Sequence, residues 1–243
     1  MKHLKSVHSE TFPVGEHDAS NDELRHGLGL QEGQEKDLSR TALLGMWAAR
    51  EAWQSAGLKT GEDPGAALVS ATTVGGMDQS EVAYAEAADP AHYLAAHPCG
   101  DSTRRVASYL GLKGYRSTLS TACSSGANAL IHGARLLKHG RALRVLAGGV
   151  DALSRFTLNG FNSLMILDKE LCQPYDRNRR GLNLGEGAAY LVLEAEETAR
   201  QRKAPVLALL SGYANTNDAY HQTASSPEGE AAYQAMRQAL ALA

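Results

Sequence analysis

Positive charge is in short supply. The chain of 243 residues carries 24 Lys and Arg against 27 Asp and Glu, a net charge of −3, so no basic field gathers nucleic acid or anionic lipid. Aromatic residues make up 6%, and the aromatic pattern of an RNA reader does not occur. Neither nucleic acid nor a membrane is an expected partner. Cysteine is scarce too: Cys99, Cys123 and Cys172 form an odd set with no paired spacing, which argues against a disulfide framework. There is no His-Glu-x-x-His or Cys-x-x-Cys, and His92 with His97 reads as a lone pair, so no metal is expected and no cofactor. Apolar runs fall short of a membrane span. Met1-Lys2-His3-Leu4-Lys5 leads into polar sequence rather than a signal core, and the cytoplasm is the expected compartment.

What is present is ordinary globular material: 43% hydrophobic and 21% charged residues, over a length that supports a substantial core. Residues 1–35 are polar and weakly periodic and receive no assignment. A helix is expected from about Asp37, with Leu38, Ala42, Leu43, Met46, Ala49, Trp53 and Ala56 on one side and Gly57 as its stop. Residues 66–72 read as a buried strand and 102–110 as a helix ended by Gly111. Strands follow at 115–120, 144–150 and 188–194, with an irregular stretch at 151–187. A charged helix from Glu196 to Lys203, a strand from Pro205 to Tyr213 and an amphipathic helix from Glu228 to Ala243 complete the series. Alternation of this kind indicates an α/β fold with helices packed on a largely buried sheet. With no linker or repeat, residues 1–243 read as one domain. No strand opens it and its last helix carries no closing signal, so truncation at both ends is expected.

The junction Ser120-Thr121-Ala122-Cys123-Ser124-Ser125-Gly126 carries the chemistry. A strand rich in β-formers runs into a helix with apolar residues at Ala127, Leu130, Ile131, Ala134 and Leu137, closed by Gly140. Cys123 then sits at or near the first turn of that helix, where unpaired N–H groups point outward and the macrodipole favours negative charge. The small neighbours leave room for a substrate carbonyl. The competing reading is a buried apolar thiol, which has no use for so many small and hydroxylated neighbours.

With these residues in view, the sequence resembles the β-ketoacyl-acyl carrier protein synthases of the thiolase-like superfamily. Four segments carry the match. They are Ser120–Gly126 around the acyl-accepting cysteine, Leu146-Ala147-Gly148-Gly149-Val150-Asp151-Ala152, the stretch from Tyr175-Asp176 through Arg179-Arg180 to Gly185-Glu186-Gly187-Ala188, and Asp218-Ala219-Tyr220-His221-Gln222-Thr223-Ala224. The resemblance implies one half of a thiolase-like fold, helices on a mixed, mostly parallel sheet, and a homodimer or heterodimer. It implies that Cys123 takes an acyl group from a phosphopantetheine-linked acyl carrier protein. Decarboxylative Claisen condensation with malonyl-acyl carrier protein then follows, in fatty acid or polyketide synthesis. The Cys123 N–H becomes one of two donors to the oxyanion. Complete members are considerably longer, and their catalytic histidines and second oxyanion donor lie in the other half, so this chain alone is expected to lack condensing activity. Arg180 stands where the family usually has an acidic residue. The alternative is a non-catalytic, synthase-like assembly or dimerisation subunit; a cysteine hydrolase comes third, for want of placed His and Asp partners.

The remaining candidates have plainer readings. His132 and His139, on the helix after Cys123, read as packing or surface residues. His221 reads as ordering its own loop, and His3, His8, His17 and His26 carry no spacing signal. Arg177, Arg179 and Arg180 read as a solvated loop before a phosphopantetheine or carrier-protein site. Glu186 reads as holding backbone donors, within a tight turn whose glycines supply unusual backbone angles.

Overall fold

The structure, a computed structural model, describes residues 11–30, 37–86, 94–221 and 224–243. His3, His8, His92, Gln222 and Thr223 lie outside them. The chain divides after Glu194 into two compact units.

In the first unit, α1 (Asn21–Gly27) opens on a capping box: the Ser20 hydroxyl accepts the Glu23 N–H while the Glu23 carboxylate accepts the Ser20 N–H. This Ser-x-x-Glu signature lies inside the stretch left unassigned above. Helix α2 (Arg40–Ser55) starts at Ser39, whose side chain accepts the Ala42 N–H, and the chain leaves it through Gly57 at φ 74°. Four strands, β1 (Ala67–Ala71), β2 (Arg116–Leu119), β3 (Arg144–Asp151) and β4 (Gly187–Glu194), form a sheet in the order β2-β1-β3-β4. Strand β1 pairs parallel with β2 and β3, and β4 pairs antiparallel with β3. The mixed, mostly parallel sheet is as expected. Helix α3 (Met77–Glu86) had no sequence assignment; α4 (Cys99–Leu110) begins three residues earlier than expected, from Pro98, and ends at Gly111 with φ 72°.

Alternation along β1 and β3 divides the core between the two faces of the sheet. Leu68, Leu146, Val150 and Tyr190 join Leu43, Met46, Ala49 and Trp53 of α2 and Val106 and Leu110 of α4. On the opposite face Ala67, Val69, Ala71, Val145 and Ala147 meet α5 (Ser125–Lys138) through Ala129. The buried line of α5 is Ser125, Ala129 and Gly133, small residues four apart, whereas Ala127 of the expected apolar stripe faces solvent. A Cβ on Gly133 would lie 3.1–3.2 Å from Ala147, Leu193 and Val145, so the helix sits close on the sheet because that line is small. Its C-terminal end follows the expectation, with Gly140 at φ 63°.

Two sequence expectations need correction here. The stretch 151–187 is not wholly irregular: Ser154 caps α6 (Arg155–Ser163) by accepting the Thr157 N–H, and Leu158 anchors it. At Gly185-Glu186-Gly187 neither glycine takes a positive φ. Gly185 is needed for close approach, because its backbone bridges that of Gly15, whose carbonyl would stand 3.2 Å from an added Cβ.

The second unit holds α7 (Glu196–Gln201) and α8 (Glu230–Leu242). Residues 205–213 do not form the expected strand. A strand needs a ladder partner for its backbone groups, and none pairs with this segment among the described residues; Leu207 and Leu209 are 83% and 68% exposed. Gly212 passes so near α8 that a Cβ would fall 2.0 Å from the Ala239 carbonyl.

Candidate active site

Strand β2 ends at Leu119 and α5 begins at Ser125, and the five residues between them make a sharp elbow. Ala122 takes φ 51°, a left-handed conformation that costs a residue with a Cβ roughly 1–2 kcal/mol. Hydrogen bonds hold it there. The Ser125 hydroxyl accepts the Thr121 N–H at 2.8 Å and donates to the Ala122 carbonyl at 2.6 Å. The same carbonyl accepts the Ser125 N–H at 3.1 Å. On the outer side the Ser124 hydroxyl donates to the Thr121 carbonyl at 2.8 Å, and the Asn128 amide reaches the Thr121 and Ser124 hydroxyls at 2.8 and 3.2 Å.

Cys123 projects from this elbow as an exposed, free thiol. It lies immediately before the N-cap position, Ser124, two residues ahead of Ser125 and so next to the first turn, as expected. Among the described residues, none of the hydrogen bonds closing the elbow uses its N–H. Exposed sulfur beside an unspent backbone donor can accept an acyl group and offer a hydrogen bond to the oxygen that becomes charged.

A second polar cluster ends the neighbouring strands. Asp151, the last residue of β3, accepts the Thr72 hydroxyl (2.7 Å), the Thr73 N–H (2.8 Å) and the Thr73 hydroxyl (2.7 Å), which fixes the turn after β1. Cys99 lies near enough to feel it: burial first, then the Asp151 charge, push the Cys99 thiol above its ordinary range. Both causes hold the Cys99 thiol in its neutral, less nucleophilic form. Beneath the sheet's other face the Tyr190 hydroxyl is buried against the Ser70 hydroxyl at 2.6 Å.

The other sequence candidates are not drawn to Cys123. His132 sits 3.1 Å through Nε2 from the Tyr115 hydroxyl, with ring centroids 5.8 Å apart, which is the packing role expected. His139 is the C-cap of the 14-residue α5, about 20 Å along the helix from the elbow. His17 N–H donates to Glu186 at 3.0 Å. His221 is an exposed residue of the second unit. Gln173 to Arg180 are all exposed, as a solvated loop requires; Arg179 donates to the Asp176 carbonyl at 3.0 Å, and Arg180 faces Asp168 at 3.5 Å. Glu186 accepts N–H groups from His17 and Leu153 as read from sequence, and also binds Arg40. Sequence reasoning gave no individual role to Ser125, Asn128 or Asp151. The hydroxyl-rich run after Cys123 was the available signal for the first of them. Among the described residues no group of three His, Cys, Asp or Glu is placed to hold a metal, and no helix is long and apolar enough to cross a membrane.

The chain has relatives among curated proteins and solved structures. The 3-oxoacyl-[acyl-carrier-protein] synthase 2 of Staphylococcus aureus is 30% identical over 225 residues, covering 87% of this chain and 56% of the relative. Its namesake in Rhizobium meliloti is 39% identical over 137 residues, 53% of this chain and 32% of the relative. Among solved structures, the ishigamide ketosynthase/chain length factor superposes with a TM-score of 0.76 at 30% identity, covering 86% of this chain and 55% of the other. The ketosynthase ApeO in complex with its chain length factor ApeC from Xenorhabdus doucetiae gives 0.72 at 30% identity, covering 98% and 58%. The chain thus spans about half the length of the long matches, those of 225 residues and those to solved structures. The model of the beta-ketoacyl synthase N-terminal domain matches residues 17–199. That stretch runs from just before α1 through the whole sheet into α7, and the chain belongs to the beta-ketoacyl synthase family.

Proposed function

We propose that this chain supplies the acyl-accepting part of a 3-oxoacyl-acyl carrier protein synthase, with Cys123 as the nucleophile. The observation that carries the reading is the exposed thiol on a hydrogen-bonded elbow at the head of α5, with its own N–H outside the hydrogen bonds that close the turn among the described residues. In the first stage the Cys123 sulfur attacks the carbonyl of a phosphopantetheine thioester, a new C–S bond forms, and the oxyanion takes a hydrogen bond from the Cys123 N–H. Collapse breaks the old C–S bond. The proton that leaves Cys123 ends on the released phosphopantetheine thiol. In the second stage malonyl-acyl carrier protein loses carbon dioxide, its carbanion attacks the Cys123 thioester, and the sulfur departs as the β-ketoacyl product forms. No residue of this chain is assigned to the decarboxylation, and we propose that condensation requires groups beyond those described.

The partners follow from the same reading: acyl carrier proteins bearing acyl and malonyl groups, and a second synthase chain, identical or related, in a cytoplasmic dimer. The neighbour solved as a ketosynthase with its chain length factor supports such pairing. Incubation with acyl-acyl carrier protein, read by intact mass, tests the nucleophile. An acyl adduct on the wild type that disappears in Cys123→Ala supports it. No adduct in any assembly containing this chain overturns it in favour of a non-catalytic assembly subunit.

A further inference from the structure

We propose that Ser125 is a positioning residue for Cys123, setting the direction of the Cys123 N–H through the peptide it shares with Ala122. The inference rests on the acyl-transfer reading above and deepens it. The Ala122 carbonyl and the Cys123 N–H belong to one planar unit and point in opposite directions. Whatever fixes the carbonyl therefore aims the N–H. Two donors fix it, the Ser125 hydroxyl at 2.6 Å and the Ser125 N–H at 3.1 Å, both from one residue.

The hydroxyl closes the turn from its other side as well. It accepts the Thr121 N–H at 2.8 Å, so both of its hydrogen-bonding roles are spent within the elbow. Between those anchors lies Ala122 at φ 51°. A left-handed residue with a Cβ persists where its surroundings over-determine it, and Ser125 bonds the residue before it and the residue itself. Ser125 is 5% exposed and heads the buried line of α5 with Ala129 and Gly133. The clamp is thereby seated on the sheet rather than on a loop. Thr121, Ser124 and Asn128 form the outer layer of the same turn, where the hydrogen bonds run among their own side chains.

A residue that only stabilised the elbow would affect every reaction of Cys123 alike. A residue that aims the N–H affects acyl transfer, which develops an oxyanion, and spares alkylation, which does not. The test measures two rates on the whole chain: hexanoylation by the N-acetylcysteamine thioester of hexanoic acid, read by intact mass, and carbamidomethylation of Cys123 by iodoacetamide, read by peptide mapping. In Ser125→Ala, hexanoylation is expected to fall about tenfold, part of the ~10²–10³ that loss of an oxyanion donor costs, while alkylation stays within about twofold. Ser125→Thr, which keeps the hydroxyl, restores hexanoylation. Should Ser125→Ala not fold, Ser125→Cys is read instead, with a smaller loss expected because a thiol is the weaker hydrogen-bonding group. Unchanged hexanoylation, or both rates falling together, overturns the positioning role and leaves the acyl-transfer reading standing. A wild type that is alkylated at Cys123 and never hexanoylated overturns the acyl-transfer reading, and this role with it.

Discussion

The Arg40 guanidinium grips the Glu186 carboxylate across 146 positions of sequence, with Nε 2.9 Å from both oxygens and Nη2 2.6 Å from Oε1. Glu186 is 1% and Arg40 14% exposed at the side chain, so the pair is withdrawn from water and depends on its other partners. Arg40 spends the rest of its fork on the carbonyls of His17 and Ala19 and on Asn21, and Glu186 accepts N–H groups from His17 and Leu153. One ion pair thus ties the start of α2 and the segment before α1 to the loop after β3 and the turn before β4. Removing one partner leaves the other buried and unmatched, which costs about 3–5 kcal/mol. Glu186→Ala and Arg40→Met should each lower the urea midpoint accordingly. The double variant should lose much less than their sum. Additive losses would show that the pair is not coupled.

Alkylation should discriminate among the cysteines. Cys123 is exposed, while Cys99 and Cys172 are half-buried, and burial followed by the Asp151 charge holds the Cys99 thiol up. With limiting iodoacetamide at neutral pH, peptide mapping should find Cys123 modified well before Cys99. Asp151→Asn removes the smaller of the two causes and should raise the Cys99 rate a few-fold without making it overtake Cys123. Preferential labelling of Cys99 in the wild type would contradict the placement of both thiols.

Much of this site can be read from sequence, and what cannot has physical reasons. Cys123 at a strand-to-helix junction is legible because β-formers, small hydroxylated residues and a helical periodicity meet there. The Ser125 clamp is not, because it depends on Ala122 adopting a left-handed backbone that no alanine announces. Helix α6 is not legible in the sequence, because Asn159, Gly160 and Asn162 are weak helix formers; the Ser154 cap and the buried Leu158 outweigh them. The opposite error occurs at 205–213, where an apolar β-rich run meets no ladder partner among the described residues. At Gly185 the residue type was informative and the reason differed: backbone approaches backbone at Gly15, with no unusual φ.

Tyr190 makes the fold sensitive to alkali. Burial, reinforced by the Asp151 charge and opposed by the Ser70 hydrogen bond, pushes its hydroxyl from 10.0 up to about 12. The unfolded chain therefore releases this proton at lower pH than the folded one, and folding stability falls as pH rises from 10 to about 12. Tyr190→Phe should flatten that part of the stability curve. At pH 7 it should cost about 1–3 kcal/mol, because the buried Ser70 hydroxyl loses its partner. Urea denaturation at a series of pH values measures both effects. An alkaline slope that survives in Tyr190→Phe would assign it to another group.

Asp78 carries the opposite liability, a charge the fold accommodates poorly. Its Oδ2 accepts the Arg40 N–H at 2.8 Å and the Gln79 amide at 3.3 Å, while its Oδ1 is buried with no hydrogen-bond partner. Burial raises its carboxyl above 3.8, against the pull of those hydrogen bonds. A folded pKa raised above the unfolded one gives stability that is complete below pH 3.8 and lost as pH climbs through the folded value. At neutral pH the ionised carboxylate is therefore a net penalty. Asp78→Asn keeps an oxygen for the Arg40 N–H and removes the charge, so it should raise the thermal midpoint at pH 7. The gain should shrink steadily as the buffer is taken down toward pH 4. A variant destabilised at pH 7, or a gain that does not vary with pH, would show that the Asp78 charge is favourable where it stands.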